Sequence, residues 1–254
     1  DPLWYYKVLG LHCDGTNGST TFTDVKGKTV TANGNAQIST AQYPALTGKT
    51  SSGYFDGTGD YLSIPDSADW AFGSGDFTLR AHIRLAGYAT NNAGEYQSSI
   101  VSQDIQASRA FAFNVTGTSS SFTTLHFIGF SDNSTGYTIV SGSYSFALNT
   151  WYLVEVCRVG NYVYLFVDGG LLNTGGTAFS RTLQDSSTTL KVGAQEHNAT
   201  YKYYLNGYIS EVEIYKGIGL HTASYTPSTD PFADEYVSIS GTVQDSTSAF
   251  ASRL

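Results

Sequence analysis

The sequence predicts an all-β fold, an antiparallel sandwich of two sheets, and three observations carry that reading. Short runs with period-two alternation recur along the chain, separated by clusters of Gly, Ser, Thr, Asn and Asp. No stretch holds a convincing helical period. The composition agrees, with 19 Tyr, 14 Phe and 27 Gly against 5 Pro, the usage of pleated, half-buried surfaces joined by tight turns. Many short strands without helices between them leave sheet-on-sheet packing as the way to bury their apolar faces. One β domain of this size is ordinary, and 254 residues suffice for a substantial core.

The stretch Gly53 to Asp66 anchors the pattern. Tyr54 and Phe55 end one strand, Asp56 to Asp60 supply a tight turn, and Tyr61, Leu62 and Ile64 begin the next, so the stretch reads as a hairpin. Gly57 and Gly59 suit the turn, and Pro65 ends the second strand or places it at an edge. Upstream, Val8, Leu9 and Leu11 form an opening strand before the turn-rich run His12 to Ser19, and a weak strand is expected at Ala36 to Ser39. Trp70 and Phe72 sit in a connector that reads as a plug over one end of the core.

Downstream, Phe77, Leu79, Ala81, Ile83 and Leu85 alternate cleanly, the mark of a half-buried strand. Gly87 to Ser98 is a long polar loop, and strands are expected at Ser99 to Gln103, Ala110 to Val115, Thr124 to Phe130 and Tyr137 to Ser141. Trp151 to Val159 is apolar enough to be central, and Gly160-Asn161 turns it into Tyr162 to Val167, after which Asp168 to Gly170 turn the chain again. A short strand at Leu190 to Gly193 precedes Leu205 to Tyr215, the last clear strand of the main domain. Pro227 to Asp234 reads as a linker. The expected organisation is one sandwich over residues 1–232, then linker and the first strand of an incomplete second β-module over 233–254.

Charge and cysteine usage narrow the function classes. Charged residues are 13 % of the chain, against about 25 % in an average globular domain, which suits a hydroxyl-rich extracellular or virion-surface protein. A net charge of −8 without a Lys/Arg run argues against nucleic acid. No apolar run is long enough to span a membrane. Cys13 and Cys157 permit at most one internal disulfide, and pairing stays open beside two buried free thiols. With Asp1 first and no methionine, the chain reads as a processed product or a piece of a longer protein.

Four stretches, in order, carry a resemblance to a known family. They are His12-Cys13-Asp14-Gly15-Thr16-Asn17-Gly18-Ser19, and Tyr54-Phe55-Asp56-Gly57 with Tyr61-Leu62-Ser63-Ile64-Pro65. The third is Trp151 with Val154, Val156 and Leu165-Phe166-Val167-Asp168-Gly169, and the fourth is Leu205-Asn206-Gly207-Tyr208-Ile209 with Glu211 to Gly217. Over residues 3 to 232 the chain resembles the laminin-G-like, concanavalin-A-like superfamily in its bacterial and phage branch. The resemblance implies a two-sheet jelly roll that binds glycans or protein surfaces without catalysis. It further implies a decoration or adhesion module of a virion or secreted bacterial assembly, whose partners are glycans, cell-surface polysaccharide or neighbouring subunits.

Site chemistry is read from residue types. Tyr88, Tyr96, Tyr137, Tyr201 and Tyr203 lie in or beside polar loops near Asn91 and His197, and aromatic faces with nearby amides suit sugar rings and hydroxyls. Asp14, Asp24, Asp56 and Asp60 lie in oxygen-rich loops, the environment Ca²⁺ prefers, so structural calcium is expected there, although Asp-Gly also simply makes turns. Glu211-Val212-Glu213 places two carboxylates on one strand face about 7 Å apart, within the span a glycoside hydrolase needs. The same spacing equally fits Val212 and Ile214 facing the core with both glutamates outward. No nucleophile elbow, metal-spaced histidine pair or phosphate loop is present. The expectation is therefore a non-enzymatic binding module. Its rivals are a purely structural subunit and a glycan-cleaving hydrolase on the same fold.

Overall fold

The computed structural model describes residues 3–88, 95–133, 136–198 and 202–234. In chain order the strands are β1 (Lys7–Leu11), β2 (Thr31–Asn33), β3 (Gln37–Ser39), β4 (Ser52–Asp56), β5 (Tyr61–Ile64) and β6 (Phe77–Leu85). Then come β7 (Tyr96–Ile105), β8 (Ser108–Thr118), β9 (Ser121–Phe130), β10 (Tyr137–Phe146), β11 (Trp151–Val159) and β12 (Tyr162–Val167). The last six are β13 (Gly170–Leu171), β14 (Thr177–Ala178), β15 (Leu190–Val192), β16 (Ala194–Glu196), β17 (Lys202–Tyr204) and β18 (Asn206–Lys216).

Two antiparallel sheets make the sandwich. The back sheet runs β13-β12-β11-β6-β18-β4-β3, with β1 on β18 and β14 on β12; the front sheet runs β10-β9-β8-β7-β15-β5-β2. The alternation read from sequence puts Leu79, Ala81, Ile83 and Leu85 of β6 on the inner face, fully buried against Phe111, Phe113 and Val115 of β8 and Phe127 of β9. Phe77 of the back sheet meets Phe127 of the front sheet at 5.3 Å between ring centres. Trp70, on a single 3₁₀ turn (Ala68–Trp70) capped by the Ser67 side chain, and Phe72 just after it are buried as the expected plug.

The stretch expected as a hairpin is a corner instead. β4 pairs with β3 and β18 in the back sheet, whereas β5 pairs with β2 and β15 in the front sheet. The turn residues are those a hairpin would use, with Gly57 and Gly59 at φ of 87° and 81°. What decides between the two is Asp60, whose buried carboxylate accepts the backbone N–H groups of Asp56 at 3.0 Å and Asn35 at 2.7 Å. It ties the corner to the β2–β3 turn, a partner that local sequence does not reveal. The Gly160-Asn161 turn, by contrast, closes a true hairpin between β11 and β12.

A second difference concerns the chain after β18. Pro227 to Asp234, expected as a linker, lies on the outer face of the back sheet: Thr47 N–H donates to the Thr229 carbonyl at 2.9 Å, and Phe232 N–H donates to Glu211 at 3.0 Å. Phe232 stacks on His12 with ring centres 3.9 Å apart, and Tyr225 packs against Phe166 of β12. The apolar rings make this segment a cover. The incomplete second module expected beyond it lies outside the described residues.

Candidate functional site

Among the described residues the outer faces of the two sheets have opposite characters, and only one is open. On the front sheet, β7 to β10 form a meander whose inward positions are apolar and whose outward positions carry Gln97, Asn114, Thr116, His126 and Ile128. The β16–β17 hairpin packs beside β7 and adds Gln195, His197 and Tyr203. Together they bound two adjoining hollows of about 310 and 590 Å³, with Glu95, Gln97, Ile128 and Tyr203 lining both.

Gln195 is the hub of this surface. Its carbonyl oxygen accepts from the side-chain amides of Gln97 at 2.8 Å and Asn114 at 3.0 Å, and its own amide donates to Asp104 at 2.6 Å. Asp104 is buried and also accepts from Arg109 at 2.9 Å, with the His197 Nδ1 3.4 Å away. Burial would raise the Asp104 pKa, but His197, Arg109 and Gln195 outweigh it and hold the carboxyl below its ordinary range. It is thus a fixed anion that orients its donors. Arg109 also lies over the Phe130 ring, 3.7 Å from its centre, so the guanidinium plane is held at the groove wall. The Tyr203 hydroxyl donates to Glu95. Asn114 Oδ1 and Ser99 Oγ, opposite each other across β7 and β8, are buried without a hydrogen-bond partner among the described residues, leaving acceptor capacity beneath the floor. Ile128 and Ile139 supply the apolar part of the wall.

Of the residues singled out for sugar binding, Tyr96, His197 and Tyr203 come together here. Tyr137 stands across from Phe130 on β10, exposed at the margin of the same face. Tyr88 does not join them, because it packs on the core against Phe122 at 5.0 Å. Asn91 and Tyr201 lie outside the described residues. Gln97, Arg109 and Gln195 were missed by a search for loop aromatics. Their signal was a polar side chain at outward strand positions, visible only once the outward face is known.

The calcium candidates are dispersed. Asp24 accepts from Gly10 N–H at 2.8 Å and Lys28 N–H at 2.9 Å, and Asp56 accepts from Thr58 N–H at 2.7 Å. Asp60 holds the corner described above, and Asp14 pairs with Lys49 at 2.8 Å. Among the described residues no three of these four converge to share one ion.

The back sheet's outer face is closed. Ile209, Val212 and Ile214 face the core, with a bulge between Ser210 and Glu213 and Glu211 at φ 51°. Glu211 and Glu213 therefore do point outward, but residues 225–233 cover them, leaving a cavity of about 220 Å³. Glu211 meets Lys49 at 2.5 Å and His12 at 2.8 Å; Glu213 takes a two-pronged contact from Arg80 at 2.7 and 3.0 Å and lies 3.5 Å from Lys7. Burial would raise the Glu211 pKa, but His12 and Lys49 hold it down, so it has no proton to give an acid-catalysed step at neutral pH. Cys13 and Cys157 are both free and buried.

Comparison with known proteins supports the architecture. A family profile described as the concanavalin A-like lectin/glucanases superfamily, Laminin_G_3, matches residues 56–218. No curated protein sequence matches the chain. Among solved structures, the binding domain of botulinum neurotoxin serotype D superposes with a TM-score of 0.60 at 15 % identity, over 87 % of this chain and 51 % of that one. A structure of botulinum neurotoxin type C, whose cell entry is dependent upon interaction with two ganglioside molecules, gives 0.55 at 15 %, over 85 % and 49 %. Domain 4 of AbnA, a GH43 extracellular arabinanase from Geobacillus stearothermophilus, in complex with arabinotriose, gives 0.55 at 14 %, over 84 % and 94 %. The chain spans about half the length of the neurotoxin chains it matches, and at these identities the likeness is one of fold. No helix among the described residues is long and apolar enough to cross a membrane. With 56–218 matched, more than half of its length, the chain belongs to the concanavalin A-like lectin/glucanases superfamily.

Proposed function

We propose that the protein is a non-catalytic glycan-binding module and that the front-sheet groove is its binding surface. The observation that carries this is the convergence of Tyr96, His197 and Tyr203 with Gln97, Arg109 and Gln195 on one open face. Tyrosine rings offer flat apolar surfaces for sugar C–H faces, while amides and a guanidinium offer bidentate hydrogen bonds to vicinal hydroxyls. Their orientation is set beforehand by the Gln195–Asp104 network, which lowers the ordering cost of binding. The arabinotriose complex of the AbnA domain and the ganglioside-dependent entry of the type C neurotoxin are consistent with oligosaccharides as the ligand class. The covered, ion-paired state of Glu211 and Glu213 favours binding over cleavage.

A glycan array followed by titration calorimetry tests the reading. Binding of at least one oligosaccharide class is expected, and Tyr96→Ala should weaken it about tenfold, the loss of roughly 1.4 kcal/mol of stacking. Binding that Tyr96→Ala and Gln97→Ala leave intact would move the site elsewhere. No binding at all would favour a structural subunit whose faces contact neighbouring chains. Structural calcium at the loop aspartates is a separate expectation: adding Ca²⁺ to chelator-treated protein should raise the melting midpoint by several degrees, and an unchanged midpoint removes it.

A further inference from the structure

We propose that Glu155, Cys157 and His221 form a binding site for a zinc-class divalent ion that fastens the C-terminal cover to the back sheet. Glu155 and Cys157 are two residues apart on β11, so both side chains leave the same outer face. His221 arrives from the chain after β18. Glu155 Oε1 lies 3.1 Å from Cys157 Sγ and 2.7 Å from His221 Nδ1, and the three donor atoms lie within 4.8 Å of one another. A four-coordinate zinc with bonds of about 2.0 to 2.3 Å separates its ligands by about 3 to 4 Å, so the trio needs only a small outward adjustment.

The surroundings favour a metal over a mere hydrogen-bond cluster. Glu155 is 0 % exposed, and its ion-pair partner among the described residues is the histidine alone. A buried carboxylate calls for a charge partner or a metal. Its second oxygen accepts the Tyr225 hydroxyl at 3.0 Å, and Tyr225 stacks on the His221 ring with centres 3.5 Å apart. That is the outer support which orients ligands at metal sites. The His221 side chain is 25 % exposed, which provides the way in. A thiolate and a carboxylate neutralise a divalent ion, so the neighbouring Arg80, engaged by Glu213, meets no net charge. The second grouping of this kind, His12, Asp14 and Glu211, differs in one respect: the Lys49 ammonium already lies 2.8 Å from Asp14 and 2.5 Å from Glu211 and serves as its cation.

Binding replaces the thiol proton of Cys157 with the metal and that proton leaves to solvent, while the imidazole binds through Nδ1 with its proton on Nε2, so affinity rises with pH. The test is titration of the protein with Co²⁺, followed by displacement with Zn²⁺. One equivalent of Co²⁺ is expected to produce a thiolate-to-cobalt charge-transfer band that Zn²⁺ bleaches. Cys13→Ser should keep the band and Cys157→Ser should lose it. His221→Ala, changed at a partly exposed position that leaves β11 untouched, should weaken Co²⁺ binding at least tenfold, and it decides the matter should Cys157→Ser not fold. Zn²⁺ should also raise the melting midpoint of the wild type but not of His221→Ala. Absence of the band, its persistence in Cys157→Ser, or wild-type affinity in His221→Ala would each overturn the proposal.

Discussion

The two outer faces of this sandwich start from the same strand chemistry and end in opposite states. The front face sets one buried anion, Asp104 with Arg109 and His197, among neutral amides and leaves a groove. The back face concentrates Lys7, Arg80, Glu211, Glu213 and Glu155 on four adjacent strands and covers them with the chain after β18. Polar residues at outward strand positions therefore do not by themselves indicate a binding surface. Whether another segment reaches them decides. The covered face has exchanged water for mutual ion pairing, so its interactions cannot be removed singly, whereas groove side chains can be removed while solvent takes their place.

That contrast predicts a ranking. The largest effect belongs to the buried pair: Arg80→Ala leaves Glu213 with Lys7 as its charged partner among the described residues, beside the Tyr215 hydroxyl, and should cost about 3 to 5 kcal/mol in urea unfolding. A cost below about 1 kcal/mol, as at an exposed pair, would break the comparison by showing that water reaches the covered face.

Next comes acid sensitivity. Burial, reinforced by Arg80 and Lys49 and opposed by Glu211, lowers the His82 pKa to about 4, and its Nδ1 has no hydrogen-bond partner among the described residues. The unfolded imidazole takes a proton near pH 6.5 and the folded one only near 4, so stability should fall as pH drops through that window, by on the order of 3 kcal/mol. Glu211, held below its ordinary value, adds a loss further into acid. His12 works in the other direction. Burial lowers its pKa, but Glu211 and Asp234 outweigh this and raise it, so its contribution is present below about pH 6.5 and fades as pH rises through the folded value. His82→Leu should flatten the loss between pH 6.5 and 4 in a denaturation series. An unchanged slope would show that the cavity admits water.

The smallest stability change belongs to the groove. Gln195→Ala should cost about 1 to 2 kcal/mol, because Gln97, Asn114 and Asp104 lose a partner while Asp104 keeps Arg109 and the space vacated opens on the groove, where water can enter. Glycan affinity should fall more than stability does, which calorimetry and thermal melting separate. Equal falls would mean that the network holds the fold rather than the site.

Much of the fold was legible because alternation is a local property. The inner faces of β6 and β8, the β11–β12 hairpin and the aromatic plug follow from residues within a few positions of one another. The β4–β5 corner was not legible, since Asp60 chooses it through Asn35, twenty-five positions away along the chain. In the site, Tyr96, His197 and Tyr203 stood out as aromatics in polar context, but Tyr88 had the same local signature and went to the core beside Phe122. Gln195 had no signature at all. Its role comes from three partners on β7 and β8.

The amino-acid order alone determined the class: period-two apolar runs with glycine turns can bury their faces only as stacked antiparallel sheets. It also determined that no nucleophile elbow or glycine-rich phosphate loop stands in the chain, because those motifs are defined by local spacing. Tertiary structure alone decided which outward face stays open. Covering depends on where the residues after β18 settle, and Phe232 and Tyr225 settle where His12, Lys7 and Phe166 offer rings, charge and apolar surface together. Such contacts join positions from about sixty to more than two hundred residues apart along the chain, where no local pattern reaches.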